Sequence, residues 1–228
     1  MKKRMLQFGV MYVLLFGMLP VSSVLADTIS VFNPDADTYI YNSHPDTNYG
    51  TATSMKAAGD RASKVLMHFD LSSIPSSATI VDAKLEVYID SQAGETYFKI
   101  YQLLNEWNEN EATWNIRKAG VNWDSAGGDM DEGTFYGGPQ IFASDVGKYK
   151  TISAEAATPL KNLIQDWVSG NKANYGVAYT RIYPDGTRNV FVESKEAANP
   201  PKLTVTWVPE PATMGMLSLG ALGLLRRR

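Results

Sequence analysis

Three groups of side chains in this sequence have the types and spacing to do chemistry. The first is aromatic: Trp107, Trp114, Trp123, Phe135 and Tyr136 fall in one stretch. Sugars present C–H faces that stack on flat rings, and nearby Asn, Asp or Arg side chains hold the hydroxyls. Trp107, Trp123 and Tyr136 are the candidates for such a face. The last two are flanked by Asn122, Asp124, Gly127, Gly128, Gly137 and Gly138. Core packing is the competing use of the same rings, and it fits Trp114 best. The second group is acidic. Asp35 and Asp37 near the start and Glu196 near the end are candidate calcium ligands, because calcium takes several oxygens from flexible loops. Asp129-Met130-Asp131-Glu132 is dense in oxygen but lacks EF-hand spacing, so a solvated loop competes with a metal site there. The third group is basic: Arg61, Lys64, Arg181, Arg188 and Lys195. Brought together, Arg61, Arg181 and Arg188 would grip uronate carboxylates. Ordinary surface charge is the alternative.

Catalytic signals are weaker. Cysteine is absent and histidine occurs twice, which excludes thiol nucleophiles and thins the acid–base candidates. No Gly-x-Ser-x-Gly elbow, His-Glu-x-x-His helix or phosphate loop is present. Glu106, Glu109 and Glu111 could pair as glycosidase carboxylates only at a suitable separation, which a loop does not fix. No enzyme activity is therefore expected, and no cofactor besides a structural Ca2+.

The elements that must position these groups are mostly strands. The chain has 228 residues, 44% hydrophobic and 20% charged, with a formal net charge of −3. That is enough for one folded domain and excludes a disordered or polytopic membrane chain. Six of the basic residues lie in Lys2-Lys3-Arg4 and Arg226-Arg227-Arg228, so the body between is more acidic than the total. An acidic body argues against nucleic acid as a partner. Short β-rich runs recur at 28–32, 38–41, 64–69, 80–89, 97–103, 175–179, 189–192 and 202–207. In the run at 80–89, Ala83, Leu85, Val87 and Ile89 alternate with Asp82, Lys84, Glu86 and Tyr88. One helix fits 159–168, with Leu160, Leu163, Ile164 and Trp167 on one face and Gly170 beyond its end. The pattern predicts an all-β fold: an antiparallel, jelly-roll-like β-sandwich with one short helix. Residues 105–149 show little periodicity, so this stretch is either functional or hides short strands.

Both ends read as addresses, each with an apolar helical segment. Residues 1–26 have a basic start, an apolar run and Val24-x-Ala26, the form of a secretory signal peptide cut by signal peptidase. At the other end Pro209-Glu210-Pro211 precedes an apolar run of about 14 residues, roughly 21 Å as a helix, and then the three arginines. Those parts, in that order, resemble the PEP-CTERM sorting tail. The resemblance implies transient membrane insertion, processing by an exosortase, and export to the surface of a Gram-negative bacterium that makes extracellular polysaccharide.

Residues 27–207 carry a second resemblance, over an ordered set. It comprises Ala36-Asp37-x-Tyr39, Asn48-Tyr49-Gly50, Arg61, Phe69-Asp70-Leu71-Ser72-Ser73-Ile74-Pro75, Ala83-Lys84-Leu85, Trp107-Asn108-Glu109 and Thr113-Trp114-Asn115. Trp167-x-x-Gly170, Asn174-Tyr175-Gly176 and Pro201-Lys202-Leu203 follow. This set resembles the DNRLRE domain, a secreted β-sandwich of which one branch is classed as a carbohydrate-binding module, with alginate as one ligand type. Residues 120–139 depart from it, being longer and richer in Gly and Asp. In the resemblance Leu71 and Ile74 plug the end of the sandwich. The expected function is non-catalytic binding of extracellular polysaccharide in the matrix. The alternatives are a structural envelope protein without a ligand, or a small polysaccharide lyase or hydrolase.

Overall fold

The computed structural model describes residues 26–59, 62–152, 158–181 and 188–210. The expected signal peptide, the apolar helical segments at both ends, Arg61 and Pro211 lie outside them. Among the described residues no helix is long and apolar enough to cross a membrane.

The strands are β1 (Thr28–Phe32), β2 (Ala36–Tyr41), β3 (Ser54–Ala58), β4 (Ser63–His68), β5 (Thr79–Gln92), β6 (Thr96–Gln102) and β7 (Ile116–Lys118). They continue with β8 (Val121–Asn122), β9 (Gln140–Ile141), β10 (Tyr149–Thr151), β11 (Val177–Arg181), β12 (Asn189–Glu193) and β13 (Lys202–Val208). Helix α1 is Thr158–Ser169. The main sheet runs β1-β13-β5-β12-β3-β4-β11-β6-β9, with β10 on β5 and β2 on β4. The result is the antiparallel β-sandwich expected.

Strand β5 is the corner of this network. Its first part pairs with β13 and its last part with β12. Leu85 and Val205 on one part therefore share a core with Val65, Met67 and Tyr179 on the other. The alternation predicted for β5 holds, with Ala83, Leu85, Val87 and Ile89 all buried. A bulge opposite Thr206 and Trp207 skips Val81, which lets Ile80 turn inward as well and leaves Val81 exposed. Helix α1 buries Leu160, Leu163, Ile164 and Trp167. Its Gln165 side chain clips it to β5, accepting from the Ile80 N–H and donating to the Ala78 carbonyl. Gly170, at φ +77, ends the helix. Leu71 and Ile74 are buried in the same core.

The first part of the stretch 105–149 lies on the outer face of the sheet as a further layer, while Tyr136 and Ile141 from its later part join the main core. Leu103, Ala112 and Trp123 pack in that layer on Ile40, Leu66 and Ala178. Strand β4 is thus covered on both faces, which explains its unbroken apolar run Val65-Leu66-Met67. Strand β3 was not predicted. Its sequence Ser-Met-Lys-Ala-Ala carries no β-branched or aromatic residue, and its place comes from pairing with β12.

Two Asn-Tyr-Gly turns act as fasteners, the first on this layer and the second on the segment after β4. Asn48 donates to the carbonyls of Glu109 and Ala112 while accepting from the Gly50 N–H. Asn174 repeats the device, donating to the Phe69 carbonyl and accepting from the Gly176 N–H. Gly176 has φ +83, and a Cβ there would lie 2.1 Å from the Met67 carbonyl oxygen. Gly176→Ala is expected to destabilise the fold by about 3 kcal/mol or more, read from urea unfolding followed by tryptophan fluorescence.

Candidate functional site

The turns that follow β4 and precede β2 and β11 meet at one end of the sheet. There Asp35, Ala36, His68, Glu106, Trp107, Asn174 and Tyr175 line a recess of about 310 Å3. Ala36 pairs with His68 across β2 and β4, which fixes these two neighbours at the rim. A second recess of about 510 Å3 shares His68 and Asn174 and runs past Asp70, Leu71 and Ile74 to Trp167. A third, of about 290 Å3, shares Tyr175 and reaches Leu104, Asp131 and Lys172. The shared residues string the three into one groove.

Its walls are firmly held. The Trp107 indole N–H donates to the Tyr175 main-chain carbonyl at 2.9 Å, which fixes the Trp107 ring against that turn. Both rings are half-buried. His68 Nδ1 lies 2.7 Å from Asp35 Oδ1, and Nε2 lies 3.3 Å from the Asn174 carbonyl. Asp35 also takes its backbone direction from β4, donating its N–H to the His68 carbonyl. The exposed Glu106 carboxylate bonds the Lys118 ammonium and lies 3.7 Å from Arg117. These cations hold its carboxyl below the usual range, the Lys118 hydrogen bond most of all.

Of the ring faces expected from sequence, only Trp107 borders this groove. Trp123 and Tyr136 are 4% and 3% exposed, so neither offers a face to a sugar. Trp123 donates to the Thr113 carbonyl beneath the outer layer. Tyr136 lies in the main core, where burial pushes its phenol up. Their glycine neighbours permit close packing rather than exposure. A Cβ at Gly127 would meet the Trp114 ring at 2.6 Å, and one at Gly138 the Phe98 carbonyl at 2.3 Å. Trp114 packs against the outer cluster as expected. The basic set is not gathered here either. Arg188 donates to the Glu95 carbonyl in the β5–β6 turn, at the opposite end of β6 from Gln102 of the groove. Arg181 ends β11, opposite Phe98, while Tyr175 precedes that strand. Lys64 is buried, bonding the Gly127 carbonyl.

The expected calcium ligands divide. Asp35 turns to His68, whereas Asp37 and Glu196 come together with Glu109, each offering an oxygen within 4.8 Å of the others. Sequence reasoning missed Glu109 as a ligand, and Trp107-Asn108-Glu109 was its only signal. Glu109 Oε1 accepts the Asp37 N–H at 2.8 Å, and Asp37 Oδ2 accepts the Lys195 N–H at 2.8 Å. Lys195 Nζ lies 2.9 Å from Glu109 and 3.4 Å from Glu196. Asp37 Oδ1 is buried without a hydrogen-bond partner among the described residues. Oxygen donors from one strand and two turns fit a hard cation such as calcium.

Burial pushes the Asp37 carboxyl up from 3.8 to about 7, with Glu196 and Glu109 adding to the effect and the Lys195 N–H opposing it. The folded state thus holds this proton where the unfolded chain has lost it. Its stabilising contribution is full below the ordinary carboxyl value and is lost as pH rises through about 7. In chelator, Asp37→Asn should raise the melting temperature by several degrees at pH 8 and leave it unchanged near pH 4.

The matched family regions cover much of the groove but not all of it, since Trp167, Asn174 and Tyr175 come later in the chain. No curated protein matches the chain. Residues 28–128 match the family model of carbohydrate-binding module family 96, and residues 208–228 match the PEP-CTERM protein-sorting motif. Along the chain, the match to a carbohydrate-binding module thus precedes the match to a protein-sorting motif.

Proposed function

We propose that this protein is exported to the cell surface and there binds extracellular polysaccharide along the groove, without cleaving it. The observation that carries this is the placing of Trp107 and Tyr175 beside Asp35, His68 and Glu106 in one recess. Half-buried rings supply the flat apolar contact that a sugar's C–H face needs. Carboxylates and the imidazole at the rim accept and donate to its hydroxyls. Three recesses in a string suit a polymer better than a single sugar.

The charge on the groove narrows the ligand. Asp35, Asp70, Glu106 and Asp131 line it, with Lys172 as the lining cation. A polyuronate would meet repulsion within the Debye length of about 8 Å. A neutral, hydroxyl-rich glycan avoids that cost. On this reading the sorting tail delivers the domain to the matrix through the inner membrane. Signal peptidase and an exosortase act on its ends, and the module holds or organises polysaccharide outside a Gram-negative cell.

One observation favours a second reading. A histidine oriented by an aspartate in a sugar-sized recess is also a fit arrangement for moving a proton. A lyase or hydrolase would use the His68–Asp35 pair with Glu106.

The test is retention of the full chain, in detergent, on immobilised neutral and acidic polysaccharides. Neutral glycans should retain it saturably. Trp107→Ala and Glu106→Gln should each weaken retention by about tenfold, equal to about 1.4 kcal/mol. Glu106→Gln should keep the wild-type melting temperature, which separates lost binding from lost folding. Retention by polyuronates alone would reverse the ligand assignment. Shortened or unsaturated products that vanish in His68→Gln would make the protein an enzyme.

A further inference from the structure

We infer that Asp37, Glu109 and Glu196 form a calcium site beside the groove. Their carboxylates come from three separate segments: the start of β2, the outer layer, and the turn after β12. One oxygen from each lies within 4.8 Å of the others. Three carboxylates at that spacing repel unless cations lie among them. Lys195 supplies one positive charge, to Glu109 and Glu196. It leaves the cluster short of neutrality.

The second observation is the state of Asp37. This side chain is 1% exposed, and its Oδ1 has no hydrogen-bond donor among the described residues. A buried carboxylate oxygen without a partner is a costly feature that native structures seldom keep. A metal ion provides the missing partner. The donor set selects the ion. All three ligands are carboxylates, which excludes the nitrogen and sulfur coordination favoured by zinc. Glu109 and Glu196 hang on turns, which suits the loose shell of calcium at about 2.3–2.6 Å more than the strict octahedron of magnesium, while Asp37 is fixed at the start of β2. Lys195, a quarter exposed along its side chain, can swing to solvent as the ion enters. Glu109 can keep its bond to the Asp37 N–H through Oε1 and ligate through Oε2.

The position gives the site a role. Glu109 is two residues from Trp107, and Asp37 adjoins Ala36 of the groove lining. An ion there would tie the outer layer to β2 and steady the wall that carries Trp107. The site itself does not depend on a glycan being bound.

The experiment is calorimetric titration of the chelator-stripped full chain, in detergent, with calcium chloride, followed by thermal melting. One saturable event is expected, with a melting temperature raised by several degrees. Magnesium chloride should bind at least about tenfold more weakly. Glu196→Gln and Asp37→Asn should abolish both signals, while Asp131→Asn, at the far recess, should retain them. Lys195→Met removes the competing ammonium and should tighten calcium several-fold. A purely internal ion-pair cluster predicts the opposite: no calcium response in the wild type, and a lower melting temperature for Lys195→Met. A folded wild type that ignores calcium, or an undiminished response in Glu196→Gln, would overturn the assignment.

Discussion

An irregular layer can pack on a sheet only if its main-chain polar groups find partners, and the short β7–β8 ladder serves few of them. Here side chains from elsewhere supply them. Asn48 takes the carbonyls of Glu109 and Ala112, Lys64 that of Gly127, and Trp123 that of Thr113. Asp129 accepts from the backbone of Asp124 and Ser125 and from the Asn105 side chain. Each such bond contributes only about 1 kcal/mol net, but an unpaired buried group costs more. The groove inherits its geometry from this pairing. Trp107 and Glu106 stand where they do because their segment is held by Asn48, by the Tyr175 carbonyl and by Arg117.

That dependence joins the two acidic features. At the groove rim, Asp35 and Glu106 remain accessible and have cationic or imidazole neighbours. A short distance along the same strands, Asp37 is sealed from water with a single lysine among three carboxylates. The first arrangement leaves oxygens available to hydroxyls. The second concentrates unspent charge in a dry place. Both arise where β2 begins: Asp35, in the turn before the strand, reaches His68 at the rim, while Asp37, inside the strand, is buried.

Much of the fold was legible because burial imposes period. Strand β5 is buried on one face and alternates, and α1 shows a clean apolar stripe. β3 was illegible, since its residues have no preference for a strand and only its neighbours hold it there. The outer layer hid short pairings such as β7 with β8, which are too brief for a period to register. Of the sequence candidates, Trp107 borders the groove and Asp37 and Glu196 come together, whereas Trp123 and Tyr136 are buried. Glycine beside an aromatic ring marks either a mobile tip or close packing, and sequence does not separate the two. His68, Asn174 and Tyr175 were recognisable as turn or strand residues. Only the meeting of three distant segments shows them as one wall.

Strand β13 carries the chain from the domain into the sorting tail, and it lies between β1 and β5. It is registered with β1 from Phe32 to Thr28 and with β5 from Glu86 to Thr79. Tension applied at Pro209 would therefore run along a strand laddered on both sides. Shear loads many antiparallel hydrogen bonds together, where peeling would open them one at a time. A domain pulled through this strand would therefore withstand far more load than one pulled through an edge strand.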